Sequence, residues 1–230
     1  MPRYPRVFLP GVALHIVQRG HDRQPVFAHE SDYRYYLRNL RDVKNSLDIR
    51  VLAYCLMTNH VHLILVPGEE TEAVSKLMRV LAARQTRRVN KLENRSGTLW
   101  EGRFKASLVD TDEYLLTCCR YVDLNPVRAA IVEVPQAYNW SGYRNRAGIR
   151  DDSLLDDHTI FEALGQSPRM RARAYRDFVN MGMSDDELSF LRQTVQRNQL
   201  TGNSRFKADI EARIGRSLSD KAQGRPRKVR

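Results

Sequence analysis

Two apolar runs separated by a pair of polar residues constrain the fold of this chain more than any other feature. Residues 49–57 and 60–66 are dense in apolar side chains, and Thr58 and Asn59 between them are typical of a turn. Runs of this length on either side of a turn are typical of buried β-strands joined in a hairpin. We therefore predict a hairpin in the centre of a sheet.

Further strands and helices surround this hairpin in an alternating order. Short apolar stretches predict strands over residues 12–17 and 104–109. Apolar residues at helical spacing predict helices over residues 32–47, 72–92 and 110–124, the first capped by Ser31 and the last ended or bent at Asn125-Pro126. The order β-α-β-β-α-β-α predicts an α+β sandwich in which helices cover a largely antiparallel sheet.

The chain changes character after this first unit, which we place at residues 1–145. Residues 146–157 are polar, which predicts a linker, and residues 158–222 predict a helical, basic extension that binds DNA. Residues 223–230 form a basic tail in which Arg225 and Arg227 flank a proline. This stretch is similar to an AT-hook core, which lies in a narrow A·T-rich minor groove, and a generic basic tail is the alternative.

The charge balance indicates a polyanionic partner. The chain has 38 Lys and Arg against 27 Asp and Glu, a net charge of +11, which favours nucleic acid over a merely solvated basic surface. No apolar run approaches the length that crosses a bilayer, so we expect no membrane partner. The three cysteines, two of them adjacent, match neither a disulfide framework nor a zinc site. We therefore expect a cytoplasmic, nucleoid-associated protein.

The sharpest chemical feature is the pair His60 and His62 in a predicted strand. Residues two apart share one face of a strand, so two imidazoles in this spacing can bind one divalent metal, although two hydrogen-bonded core histidines are the alternative. Tyr121 and Asn125 are four apart near the end of a predicted helix and share a helix face. A phenol is a latent nucleophile and an amide oxygen a hard metal ligand, but a core tyrosine and a helix-capping asparagine remain open.

Five motifs in order resemble a known family, the single-tyrosine HUH transposases, and their REP-associated branch in particular. HUH stands for histidine, a hydrophobic residue and histidine, and REP for repetitive extragenic palindrome. The resemblance covers about residues 5–145. The motifs are HIVQRG (residues 15–20), AYCLMTNHVHL (residues 53–63), GRFK (residues 102–105), RYVDLNPVRA (residues 120–129) and YNWSGY (residues 138–143).

The resemblance implies a ferredoxin-like, RRM-like sandwich and a metal-dependent single-strand DNA endonuclease and strand transferase. It implies that Tyr121 is the nucleophile that forms a 5′-phosphotyrosine. It also implies that His60, His62 and Asn125 bind Mg²⁺ or Mn²⁺, with Asn125 standing where many relatives have glutamine. The implied substrates are single-stranded DNA hairpins from REP elements. Tyr114, seven residues before Tyr121, is the rival nucleophile.

Several basic residues are candidates for DNA contacts, and two other functions stay open. The candidates are Arg19, Arg87, Arg88, Arg103, Lys105, Arg225 and Arg227. The first alternative function is a non-catalytic regulator that binds DNA hairpins, and the second is an RNA-binding protein on an RRM-like sheet. The oligomeric state, monomer or homodimer, is left open.

Overall fold

A four-stranded antiparallel sheet is the framework of the computed structural model, which describes residues 6–110, 114–215 and 217–218. The strands are β1 (Ala13–Arg19), β2 (Ile49–Met57), β3 (His60–Pro67) and β4 (Lys105–Val109). They lie in the order β2-β3-β1-β4, and all neighbouring pairs are antiparallel. The predicted hairpin is thus confirmed, with its turn at residues 58–59.

Helices cover both faces of this sheet. Helices α1 (Glu30–Ser46) and α2 (Ala73–Leu92) pack on each other and on one face, while α3 (Leu115–Asp123) packs on the other. Helix α3 ends at Asp123, and a short helix, α4 (Asn125–Arg128), begins at Asn125. The helix thus breaks at Asn125-Pro126, as the sequence predicts. The element order through α3 agrees with the predicted α+β sandwich.

The start of α1 differs from the prediction. The residue that caps the helix is His29 rather than Ser31, because the Asp32 carboxylate accepts hydrogen bonds from the backbone N–H groups of Ala28 and His29. A carboxylate in the first turn also interacts favourably with the positive end of the helix dipole. The helix therefore begins at Glu30, two residues before the predicted start at residue 32.

The hairpin is not wholly central, because β2 lies at one edge of the sheet. Its outer edge is nevertheless covered by a later segment of the chain. The Leu56 N–H donates to the Trp140 carbonyl, and the Gly142 N–H donates to the Tyr54 carbonyl, each over 2.9 Å. The faces of β2 are apolar because α1 packs on one and α3 on the other, and the pairing with residues 140–142 also covers its outer edge.

The C-terminal part of the chain covers the other edge. It contains α5 (Tyr143–Arg146), α6 (Thr159–Glu162), α7 (Pro168–Asn180), α8 (Asp185–Arg197) and α9 (Ser204–Ile214). Between α8 and α9, Thr201 pairs with Val109 of β4 in a parallel bridge, and its N–H donates to the Leu108 carbonyl over 2.7 Å. The extension is therefore bound to the sheet at β4.

The segment expected to be a linker, residues 146–157, is also bound to the sandwich. Its Asp156 carboxylate accepts hydrogen bonds from the Lys44 ammonium and from the Val51 N–H. Leu154 is buried in the core on the α1 side of the sheet. The basic tail with Arg225 and Arg227 lies outside the described residues. Within the described ranges, no helix combines the length and the apolar character needed to cross a membrane.

Candidate active site

The two candidate histidine ligands lie on the α3 face of the sheet. His60 is opposite Arg19 and His62 opposite Val17 across the β1–β3 pair. The centroids of the two imidazole rings are 5.0 Å apart. His62 is buried, and His60 is half-buried at the start of β3, directly after the hairpin turn. The alternation of side chains along β3 thus places both rings on one side, as the spacing predicts.

Helix α3 brings Tyr121 beside this pair. The Tyr121 ring centroid is 5.7 Å from that of His62, and the side chain is 5% exposed. The rival tyrosine, Tyr114, immediately precedes α3 and packs its ring on Phe190 of α8, with centroids 5.7 Å apart. The two tyrosines therefore have different surroundings: among the described residues, Tyr121 packs its ring on the histidines, whereas Tyr114 packs on Phe190.

Asn125 lies one helical turn beyond Tyr121, and hydrogen bonds fix its amide group. Its Nδ2 donates to the Tyr121 carbonyl over 3.0 Å and to the Val122 carbonyl over 3.3 Å. Its Oδ1 accepts from the Arg128 Nη2 over 2.7 Å. Because an amide oxygen has two lone pairs, this bond leaves Oδ1 the capacity for one further partner, such as a metal ion.

Arg128 belongs to the site, although we did not single it out from the sequence. Its guanidinium carbon lies 4.1 Å from the centroid of the Tyr121 ring, and its Nη1 donates to the Tyr121 carbonyl over 3.3 Å. Burial lowers the pKa of Arg128, while the neighbouring Tyr121 opposes this shift. Arg128 is three residues after Asn125 and seven after Tyr121. This helical spacing predicts that the three side chains share one face, and it could have identified Arg128 from the sequence.

His15 is the second residue that the sequence reasoning missed. It lies in the middle of β1, is fully buried, and its Nε2 is 3.0 Å from the Nδ1 of His62. Its ring centroid is 5.6 Å from that of Tyr121. The register of β1 against β3 brings His15 diagonally across from His62, so only the strand pairing reveals this contact.

All three imidazoles are held in the neutral form at neutral pH. Burial, followed by the charge of Arg19, lowers the pKa of His60 to about 4. Burial, followed by the charge of Arg128, lowers the pKa of His15 to about 3. Burial also lowers the pKa of His62 well below its ordinary value, with His60 and His15 adding to the effect. Neutral imidazoles retain the lone pair that a metal ligand needs.

The composition of the site fits a metal only if a ligand of another type joins the histidines. In the part of the chain that the structure describes, no group of three or more His, Cys, Asp and Glu side chains is arranged to hold a metal ion. His60 and His62 supply two nitrogen ligands, and the Asn125 amide oxygen is a ligand of a different class. This donor set is compatible with Mn²⁺ or Mg²⁺, which keep open positions for water or substrate.

The predicted DNA-binding residues divide between the two sides of the sheet. Arg19 and Lys105 are exposed on the strand ends beside the histidines, where Lys105 is opposite Val17. Arg103 is exposed in the segment before β4. Arg87 and Arg88 lie on α2, across the sheet, and Arg88 pairs with the buried Asp32 carboxylate over 2.8 Å. The structure thus places Arg19 and Lys105 beside the site and places Arg87 and Arg88 away from it.

Comparison with known proteins identifies the family. Residues 9–125 match the family model for IS200-like transposases. The chain belongs to this family. Comparison with curated protein sequences found no match. The family match confirms that the chain is a transposase, and it covers the strands and helices that carry His60, His62 and Tyr121.

Two solved structures of transposases show similarity to this family member. A REP-associated tyrosine transposase bound to a REP hairpin aligns with a TM-score of 0.56 and 16% sequence identity, over 69% of this chain and 99% of that chain. This likeness confirms the predicted fold. A candidate transposase of Deinococcus radiodurans R1 aligns with a TM-score of 0.36 and 18% identity, over 56% of this chain and 92% of that chain.

Proposed function

We propose that this transposase is a metal-dependent single-strand DNA endonuclease and strand transferase that acts on REP-like hairpins through a 5′-phosphotyrosine intermediate. The observation that carries the proposal is the packing of the Tyr121 ring against His62, on the sheet face that also holds His60. Family membership supports DNA transposition. The solved transposase of the same fold is bound to a REP hairpin, which supports a hairpin as the substrate.

Tyr121 is the proposed nucleophile. Its phenol oxygen attacks the phosphorus of the scissile phosphodiester, and the bond from phosphorus to the 3′ oxygen breaks. The phenol loses a proton and the departing 3′ oxygen gains one, so the exchange is balanced without any oxidant or reductant. The Arg128 guanidinium packs on the face of the Tyr121 ring and helps to hold the ring in position. The covalent link conserves the phosphodiester energy for rejoining.

His60, His62 and Asn125 are the proposed ligands of Mg²⁺ or Mn²⁺. Both imidazoles are neutral, and the Asn125 oxygen keeps a lone pair beyond its bond to Arg128. When bound, the metal ion would neutralise negative charge on the scissile phosphate. The protein itself orients the ligands, and burial of His62 and Tyr121 limits access of water to the nucleophile.

Single-stranded DNA is proposed to approach the α3 face of the sheet, at the end of the strands where His60 lies. Arg19 lies on β1, which pairs with β3, and Lys105 lies on β4, on the other side of β1. Both are on the same face as His60, and Arg103 is two residues before Lys105. Phosphate contacts from these side chains would place a strand across the histidines. Arg87 lies on the opposite side of the sheet and is expected to matter less.

The nucleophile is tested on a denaturing gel. Purified full-length protein is incubated with an end-labelled, single-stranded palindrome pool and with Mn²⁺ or EDTA. We expect wild type to form a metal-dependent protein–DNA adduct that survives denaturation. Tyr121→Phe is expected to abolish the adduct while leaving hairpin binding in a gel-shift assay within about twofold, because only a hydroxyl is lost.

Tyr114→Phe is the matched control, since it removes the same hydroxyl from the beginning of the same helix. It is expected to form the adduct at the wild-type rate. An adduct that persists in Tyr121→Phe and disappears in Tyr114→Phe would overturn the assignment of the nucleophile. Tight hairpin binding with neither adduct nor cleavage in wild type would replace the enzyme with the hairpin-binding regulator.

A further inference from the structure

Each of the two proposed histidine ligands has one ring nitrogen bound by a neighbouring side chain. The Asn59 Oδ1 lies 2.6 Å from the His60 Nδ1, and the His15 Nε2 lies 3.0 Å from the His62 Nδ1. In both rings Nδ1 is therefore engaged, and Nε2 is the nitrogen that is left for another partner. Neither Asn59 nor His15 is itself among the proposed ligands.

The orientation of Asn59 determines where the proton of His60 resides. The Asn59 Nδ2 donates to the Arg23 carbonyl over 3.1 Å, which directs the amide oxygen to His60. Because that oxygen only accepts hydrogen bonds, the His60 Nδ1 carries the proton. A neutral imidazole has a single N–H, so the His60 Nε2 keeps its lone pair.

His15 has the same relation to His62 through the strand pairing. The two rings stack with centroids 5.2 Å apart, and His15 is fully buried between β3 and β4. One proton is shared between the His15 Nε2 and the His62 Nδ1. When the His62 Nδ1 donates it, the His62 Nε2 is left with a lone pair, which is the form that binds a metal. His15 then carries its own proton on Nδ1, a buried atom that has no hydrogen-bond partner among the described residues.

We propose that Asn59 and His15 are positioning residues, which hold His60 and His62 with the proton on Nδ1 and leave both Nε2 atoms free for a divalent cation. The inference rests on the proposed function, since it assigns the hydrogen-bond partners of that metal site. Such partners fix the tautomer and the ring orientation of a ligand, and their loss commonly weakens metal binding by about 10–100-fold. Asn59 in the hairpin turn thus positions His60, and His15 on β1 positions His62.

The tautomers are measured directly by NMR of the ¹⁵N-labelled, metal-free full-length protein near neutral pH. We expect the His60 and His62 rings each to carry the proton on Nδ1. In Asn59→Ala, the His60 ring is expected to become a mixture of tautomers, while His62 is unchanged. A proton on Nε2 of either ring in wild type would overturn the proposal for that ring.

Metal affinity is the second readout and uses Mn²⁺ alone, by titration calorimetry without DNA. Asn59→Ala is expected to bind Mn²⁺ about 10–100-fold more weakly than wild type. Asn59→Asp keeps an oxygen acceptor for the His60 Nδ1–H and is expected to restore the affinity. Asn90→Ala is the matched control, because Asn90 likewise donates to a backbone carbonyl, that of Gly97, but lies on α2. It is expected to match wild type.

The variants separate positioning from simple support of the turn. If Asn59→Asp binds as weakly as Asn59→Ala, the bond from Nδ2 to the Arg23 carbonyl is what matters, and the proposal is overturned. His15→Phe keeps a ring in the stack but removes both nitrogens, and it is expected to lower the affinity about 10–100-fold. Unchanged Mn²⁺ binding in a folded His15→Phe variant would exclude His15 as a positioning residue.

The two readouts also distinguish this inference from the proposed function. If both tautomers are as stated but wild type binds no Mn²⁺, the metal site of the proposed function is wrong and the proton positions stand. If Mn²⁺ binds and the Tyr121 adduct forms, but the protons are on Nε2, the proposed function stands and this inference is wrong.

Discussion

The two faces of the sheet use the same strands for different purposes. On β1, Leu14 and Ile16 pack into the core under α1 and α2, whereas His15 between them lies against His62 on the α3 side. On β3, Leu63 packs into the same core under α1 and α2, whereas His62 packs against Tyr121 on the α3 side. Because successive side chains alternate, one strand can supply a dry core and a chemical site.

The α3 side satisfies its buried polar groups only in part. The His15 Nδ1 and the Asp123 Oδ1 are buried and have no hydrogen-bond partner among the described residues. The Asp123 Oδ2, in contrast, accepts from the Tyr175 hydroxyl over 2.7 Å, and burial raises the pKa of Asp123 to about 7. The apolar side also leaves the Tyr36 hydroxyl and the Gln85 Oε1 without partners, so the α3 side differs in carrying buried titratable groups rather than in having unsatisfied ones.

The largest loss of stability is expected on the apolar face. Leu63 is fully buried between the sheet and the helices α1 and α2. Leu63→Ala is expected to lower the free energy of unfolding by about 2–5 kcal/mol, because it removes apolar contacts and leaves a cavity. Urea denaturation measures the change. The exposed Leu92 provides the control, and Leu92→Ala is expected to stay within about 0.5 kcal/mol of wild type. Equal losses in both variants would contradict this view of the apolar core.

An intermediate loss is expected on the α3 side from Tyr175→Phe. The variant removes the hydroxyl that donates to Asp123 and leaves a buried carboxyl group without that donor. We expect the free energy of unfolding in urea to fall by about 1–3 kcal/mol. A loss below about 0.5 kcal/mol would show that Asp123 finds another donor, and the contrast between polar and apolar faces would weaken.

The smallest effect, with the opposite sign, is expected from Tyr36→Phe on the apolar face. Tyr36 is fully buried, and its hydroxyl has no hydrogen-bond partner within the described ranges. Removing an unsatisfied buried hydroxyl is expected to be neutral or to stabilise the protein by up to about 1 kcal/mol. Together, Tyr36→Phe and Tyr175→Phe compare how the loss of one buried hydroxyl changes the free energy of unfolding on the two faces. A loss of more than about 1 kcal/mol would reveal a partner for this hydroxyl.

The elements of the site that sequence reasoning found are those with local signals. The two-residue spacing of His60 and His62 and the four-residue spacing of Tyr121 and Asn125 each define a shared face of one element. Sequence reasoning missed His15 because its contact with His62 joins two strands that are distant in the chain, whereas Asn59 and Arg128 lie within three residues of site residues that they contact. Arg88 was predicted to contact DNA, and its ion pair with Asp32 joins two helices on the other side of the sheet.

The amino-acid sequence by itself determined the order of strands and helices, the hairpin turn, the pairing of His60 with His62 and the family. These follow from local periodicity and motif order, which act over a few residues. Only the tertiary structure decided that β2 is an edge strand covered by residues 140–142 and that His15, Asn59 and Arg128 surround the proposed ligands. Hydrogen bonds need distance and direction together, and the folded backbone alone sets both for residues far apart in the chain.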